Sequence, residues 1–315
     1  QVRAVVGDNV SAVFTRVLGI VSNSVSRQAT AHVMSASACA LCLLGSSGTD
    51  LSVVGNATII IAMADGQGKA AGITVDSSGT SAISMTGNAS ITAPTVNIVG
   101  HASQGPNTSI TGTVRTGVAA APDPLAGIPV PSVATSYGNV SASGNQSIGP
   151  GIYGNISVSG NASLTLAAGT YVITGSLSVG GTGSLTANGV TLYLACASYP
   201  TPCSSGQSGG SVSLGGNGTF TVTAPTTGTY QGLTIFADRN NTAASTIAGN
   251  GGDSVTGSIY GKSASLTITG NGSSLPIDSL IVAKQATLTG NGGIDMTFNR
   301  SLNYSTVTGP PVLSQ

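Results

Sequence analysis

Charge is what this chain has least of. Only 6% of its 315 residues are Asp, Glu, Lys or Arg, against about a quarter in ordinary globular proteins. Glu and Trp are absent, and nine Lys and Arg balance nine Asp to a formal net charge of zero. Nine scattered cations form no basic patch, which excludes the electrostatic footprint of nucleic-acid binding. No apolar run approaches the roughly 20 residues that a membrane-spanning helix needs; residues 38–44 and 58–64 are apolar but short. There is no signal peptide and no initiator Met, so Gln1 reads as the start of a processed or truncated chain whose targeting segment is gone. Aromatic residues are equally sparse. Eight Tyr and four Phe are spread over the chain and suggest no outward aromatic row.

What is present is apolar residue, glycine and neutral polar residue. The 40% apolar content excludes the low-hydrophobicity route to disorder. A folded, β-rich body is expected, covered by Ser, Thr, Asn and Gly where other proteins carry Lys and Glu. Such surfaces suit an extracellular or cell-surface location. With so little charge to keep copies apart, self-association is expected to be easy.

A repeat organises these residues. Gly138-Asn-Val-Ser-Ala-Ser-Gly-Asn-Gln-Ser-Ile148 returns as Gly154-Asn-Ile-Ser-Val-Ser-Gly-Asn-Ala-Ser-Leu164. Gly-Asn pairs recur at 55–56, 87–88, 216–217, 249–250, 270–271 and 290–291. Gly and Asn supply the positive φ of tight turns, and alternating apolar runs between them read as short strands. A period of about 20 residues built this way predicts an all-β, right-handed parallel β-helix, or β-solenoid, whose coils bury a core by stacking. Residues 37–315 form that solenoid, interrupted at about 116–135 by a Pro-rich strap that cannot join a ladder. Residues 1–36 depart from the repeat. Val2-Arg-Ala-Val-Val6 reads as a strand, 10–18 as a short amphipathic helix closed by Gly19, and 20–33 as a second strand. This α+β unit is expected to cap the end of the solenoid, where a sheet edge would otherwise lie open.

Four cysteines fall into two close pairs. Cys196 and Cys203 enclose two prolines in a polar loop, which suits a disulfide in an oxidising compartment. Cys39-Ala-Leu-Cys42 has redox-motif spacing without the βαβ context, so a structural disulfide is the expectation. Zinc would need the two pairs to meet across half the chain, and no metal or cofactor is expected.

An enzyme built on such a fold would need clustered carboxylates. The aspartates are dispersed. Asp253, Asp278 and Asp295 could share one flank, and Asp238-Arg239 is the best single candidate pair, with an exposed turn ion pair as its plainer reading. His32 and His101 suggest no triad. Gly249-Asn-Gly-Gly-Asp253 resembles half a calcium-solenoid repeat but occurs once. No catalytic residue is therefore expected. Thirteen Asn-x-Ser/Thr triplets, at Asn9, Asn56, Asn88, Asn107, Asn139, Asn145, Asn155, Asn161, Asn217, Asn240, Asn271, Asn299 and Asn303, are possible glycosylation sites if the source glycosylates.

Val2-Arg-Ala-Val-Val6, Val13-Phe-Thr-Arg-Val-Leu-Gly-Ile20, Ser26-Arg-Gln-Ala-Thr-Ala31, Leu51-Ser-Val-Val-Gly-Asn-Ala57, Ile83-Ser-Met-Thr-Gly-Asn-Ala-Ser90, Asp123-Pro-Leu-Ala126 and Pro311-Val-Leu313 occur in this order. In this the chain resembles TadG-like proteins of Flp/Tad (tight adherence) pilus systems, in their C-terminal extracellular region. The resemblance implies a surface or secreted protein of pilus assembly or adhesion, with pilus or cell-envelope proteins as partners and no catalytic residues. It also implies a preceding pilin-like helix, which this chain lacks, and a second cysteine near residues 70–72, where this chain has Cys42 instead. The expected function is a non-enzymatic extracellular structural or adhesion protein. A carbohydrate-binding or polysaccharide-cleaving β-helix and a self-assembling filament subunit are the alternatives, with surface glycans or further copies as partners.

Overall fold

The computed structural model describes residues 2–10, 23–31, 39–63, 71–249, 252–270, 275–291, 293–298 and 302–304. Two compact units emerge, one holding an antiparallel strand pair and the other running Ser37–Ser305. The pair is β1 (Val2–Val10) with β2 (Asn23–Ala31). The helix expected at 10–18 lies outside the described residues except for Val10, which ends β1. No α-helix occurs among the described residues.

The larger unit is entirely β. Its strands are β3 (Cys39–Leu43), β4 (Leu51–Gly55), β5 (Thr58–Met63), β6 (Gly72–Val75), β7 (Ile83–Gly87), β8 (Ser90–Ile98), β9 (Ala102–Gln104) and β10 (Ser109–Thr116). After the Pro-rich strap come β11 (Ser136–Ala142), β12 (Asn145–Ile148), β13 (Gly151–Val158), β14 (Ser163–Leu166), β15 (Gly169–Ile173), β16 (Ser176–Val179), β17 (Ser184–Ala187) and β18 (Val190–Leu194). The remainder are β19 (Ser211–Leu214), β20 (Phe220–Thr223), β21 (Leu233–Ala237), β22 (Ser245–Gly249), β23 (Ser254–Thr256), β24 (Ser258–Gly270), β25 (Leu275–Asp278), β26 (Ile281–Gly290) and β27 (Gly293–Phe298). Every pairing within this unit is parallel.

The ladders close on themselves. β13 pairs with both β15 and β16, and β24 with both β21 and β22. The circuit β13-β15-β18-β21-β24-β22-β19-β16 is a closed eight-strand parallel barrel, with further strands outside it. This corrects the expected open right-handed β-solenoid with an α+β cap. The reason is local. β13 and the 13-residue β24 run through a corner and join two ladders, β24 with a register shift between Gly261 and Ser265. A twenty-residue repeat of period-2 strands implies parallel stacking, but not which strands meet, nor that two of them continue round a bend.

The order of stacking is also not the order of the chain. β26 receives β3 and β4, and β27 receives β5, so strands from the N-terminal third extend the ladders beyond the last C-terminal ones. The chain therefore enters at β3 between β26 and β6, in the middle of a ladder and not at its end.

Alternation decides what is buried. One inward column runs Leu192, Ile235, Ile259, Ile281, Leu41, Ile73 and Val96, all buried. Burial of such columns is the main stabilising term, at roughly 25 cal/mol per Å² of apolar surface. Corners stack as tightly. Gly87 takes φ +78°, and a Cβ there would lie 2.6 Å from the Gly55 carbonyl oxygen of the next corner.

Candidate binding surface

Two outward surfaces follow from the ladders, and they differ in cover. Face A carries the outward row Val172, Tyr193, Phe236, Tyr260, Val282, Cys42 and Thr74. Aromatic side chains at outward positions would expose apolar area, yet Tyr193, Phe236 and Tyr260 are all buried. The strap covers them.

Residues 117–135 cross face A from one end of the ladders to the other, held at almost every step. Val118 N donates to Ile98 O, and Ala121 N to Asp76 Oδ1 at 2.9 Å. Tyr260 OH donates to Asp123 Oδ2 at 2.7 Å, while Asp123 Oδ1 accepts from Leu125 N. Leu125 and Ile128 insert their side chains into the core. Arg239 stacks over the Phe236 ring, its Cζ 5.9 Å from the centroid, and donates to the Leu125, Ala126 and Ile128 carbonyls. Tyr199 OH donates to Pro131 O and accepts from Val133 N, and Ile152 N closes the path on Thr135 O. Proline suits such a strap because it needs no ladder donor.

This arrangement absorbs the best candidate pair. Asp238 is buried and accepts from Tyr193 OH at 2.7 Å and from Asn240 N. Arg239 faces the strap. The two neighbours turn to different partners, so they form neither an acid–base couple nor an exposed ion pair. Burial, and then the adjacent carboxylates, push the Tyr193 and Tyr260 hydroxyls well above the usual phenol range.

Register also separates the other aspartates. Asp253 is level with Phe220, whose amide donates to its Oδ1, whereas Asp278 pairs with Thr256 and Asp295 with Pro276. The three fall in three different columns. Asp50 and Asp76 do approach one another, at the corner where the strap begins. Asp50 is fully buried against Gly45. Burial, with the Asp76 charge added, pushes its carboxyl up to about 6 against the pull of the Ser77 amide and Lys284. Among the described residues no cluster of three or more His, Cys, Asp or Glu could hold a metal. His101 is exposed, and His32 lies outside the described residues.

Face B is open. Its central outward row is Ser141, Ser157, Ser178, Ser213, Thr246, Thr267, Thr287, Ser52, Ser84 and Ser103, in continuous register. Every member is a hydroxyl residue at least partly exposed. Neighbouring strands lie about 4.8 Å apart, so the hydroxyls repeat at that interval. A second column carries Thr269, Thr289, the exposed Val54 and Thr86, and the two leading threonines share a hydrogen bond of 3.1 Å. The corner beside it is an amide ladder: Asn88 Nδ2 donates to Asn56 Oδ1, and Asn56 Nδ2 to Asn291 Oδ1.

The glycosylation triplets divide by position. Asn56, Asn88, Asn107, Asn139, Asn145, Asn155, Asn161, Asn217 and Asn240 are exposed. Asn303 is buried, its Oδ1 accepting from Ser258 Oγ and Leu280 N. Asn271 and Asn299, and the Asn9 side chain, lie outside the described residues. Cys39–Cys42 and Cys196–Cys203 are joined as disulfides, with Cα separations of 5.6 and 5.3 Å. Two such pairs suit an oxidising compartment. Sequence reasoning missed the strap anchors. The available signal was Tyr193, Phe236 and Tyr260 at equivalent outward positions, where the corresponding positions of face B carry Ser or Thr.

The chain matches no protein-family model, no curated protein and no solved structure.

Proposed function

We propose that this is a non-enzymatic extracellular structural protein of the adhesive kind, and that face B is its contact surface for neutral surface polysaccharide. The observation that carries the reading is the ten-residue hydroxyl row, which holds no charged side chain. A rigid array of donors and acceptors at strand spacing suits a ligand that also repeats and also lacks charge. The described aspartates support the non-catalytic half of the reading. Asp123 and Asp238 hold aromatic hydroxyls, Asp253 accepts a backbone amide, and Asp50 is sealed from solvent. Association with a pilus apparatus rests on the resemblance to TadG-like proteins alone.

The test is retention of the full chain on insoluble neutral polysaccharides, cellulose and chitin among them, beside a triple variant Thr246→Asp, Thr267→Asp, Thr287→Asp. Retention of the parent and its loss in the triple variant is the expected result. A parent that binds none of them, or a variant that binds equally, removes the reading. Release of reducing ends from the same samples would make the protein an enzyme instead.

A further inference from the structure

The ladders of the larger unit have two ends, and no further strand of that unit pairs beyond either. One end is β9 and β10, which pair on one side only, with β7 and β8. The other is β11 and β12, which pair only with β13 and β14. All but one of the residues of β10, and most of β11 and β12, are exposed. An unpaired parallel edge presents a row of free backbone donors and acceptors, a template for another strand.

The molecule already contains a junction between two such edges. Where β26 and β27 meet β3, β4 and β5, strands remote in the chain join by in-register parallel pairing. The hydroxyl row of face B crosses that junction unbroken, from Thr287 to Ser52. The two free ends would continue it in the same phase, with Ser103 at one and Ser141 at the other. Apolar columns also stop at the ends without cover. Val96 continues to Val114, which is 42% exposed. At the opposite end Tyr171, Tyr153 and Tyr137 stack at 5.8 and 5.2 Å, and Tyr137 leaves its outer side 55% exposed.

We propose that this protein stacks end to end with further copies of itself, the β9/β10 end of one copy pairing with the β11/β12 end of the next. The two edges are different surfaces on opposite ends, so the contact is heterologous and does not close; it propagates as a filament. Gln104 and Gln146 occupy inward columns at the two ends, in register with Met85 and Leu164. Those amides make the joint less apolar than the internal junction, and so reversible and dependent on concentration. The only charge on either edge is Arg115, so like-charge repulsion does not oppose the approach. The proposal rests on the ladder ends and is independent of any polysaccharide contact on face B.

The experiment is sedimentation velocity on the full chain over about a hundredfold range of concentration, with electron microscopy of the most concentrated sample. Parent protein should show a rising mass and thin filaments of one molecule's width. Val114→Lys and Tyr137→Lys each place a charge on one end and should each abolish growth. Both side chains are exposed, so thermal melting should show both variants folded; Thr111→Lys and Asn145→Lys replace either one that is not. Mixed in equal amounts, the two variants retain one compatible pair of ends and should give dimers that grow no further. A parent that stays monomeric throughout overturns the proposal. So does a single-end variant that still forms filaments, or a mixture that yields no dimer.

Discussion

On face A the outward positions of β18, β21 and β24 carry Tyr193, Phe236 and Tyr260; on face B the outward positions of β19, β22 and β24 carry Ser213, Thr246 and Thr267. Backbone, twist and strand spacing are shared, and β24 contributes to both faces. What differs is the strap. Where residues 117–135 lie over the sheet, rings stand in place of hydroxyls on three successive strands, and Asp76, Asp123 and Arg239 anchor the strap beside them. Where nothing lies over it, the hydroxyls remain. Polar identity at an outward position therefore records whether a second layer covers it, because a buried ring gains from removal from water and a buried unpaired hydroxyl does not.

The comparison is broken most directly at Phe236, which is wholly buried between the barrel and Arg239. Phe236→Ala should cost about 3–5 kcal/mol, the range for a large core truncation. Urea unfolding would read it. A loss below about 1 kcal/mol would mean that the strap is loosely held.

The strap's first side-chain anchor gives a pH signature. Asp76 accepts from Ala121 N, and Asp50 lies beside it with its carboxyl pushed up to about 6 from an ordinary 3.8. The folded state thus binds the Asp50 proton more tightly than the unfolded state. That contribution is fully present below about pH 3.8 and is lost as pH rises through about 6, amounting to roughly 3 kcal/mol. Asp76 is shifted in the same direction, again by burial first, and adds to the slope. Thermal melting across pH 4–7 should show this downward trend, and Asp50→Asn should flatten most of it. A parent profile that is flat or rises across that window would show that Asp50 is not buried as described.

Arg239→Ala removes three strap hydrogen bonds and the contact over Phe236. A loss of about 2 kcal/mol is expected, within the range for hydrogen bonds to a charged donor. The strap should also become the first site of limited proteolysis. Cleavage elsewhere, with the strap intact, would locate the weak point outside face A.

Much of the fold was legible. The Gly-Asn period announced parallel strands stacked at intervals of about 20 residues, and the prolines of 122–131 announced a segment outside any ladder. What could not be read was non-local. Nothing in the residues of β26 says that its next neighbour is β3, since each strand of the repeat offers nearly the same edge. The closure at β13 and β24 depends on continuation through a corner, which the alternating pattern permits and does not require. The cap failed for a related reason: its expectation assumed that the first repeat strand is a terminal one, whereas β3 is interior. Asp238-Arg239 was seen as a pair because the residues are adjacent, but they sit in the turn that leaves β21, where Asp238 takes the Tyr193 hydroxyl and Arg239 takes the strap carbonyls.

The smallest expected effect sharpens the contrast from the open side. Thr267 sits at the centre of the face B row, flanked by Thr246 and Thr287, with its side chain partly exposed. Its hydroxyl can reach water, so Thr267→Ala removes no buried partner and leaves no cavity. Stability should change by less than about 0.5 kcal/mol, even though the same strand carries the buried Tyr260 on face A. If polysaccharide binding fell while melting stayed fixed, the row would be a surface kept for contact. A loss of 2 kcal/mol or so would mean instead that the hydroxyls bond one another along the ladder as firmly as Thr269 and Thr289 do, and that face B, like face A, is held together by its outward side chains.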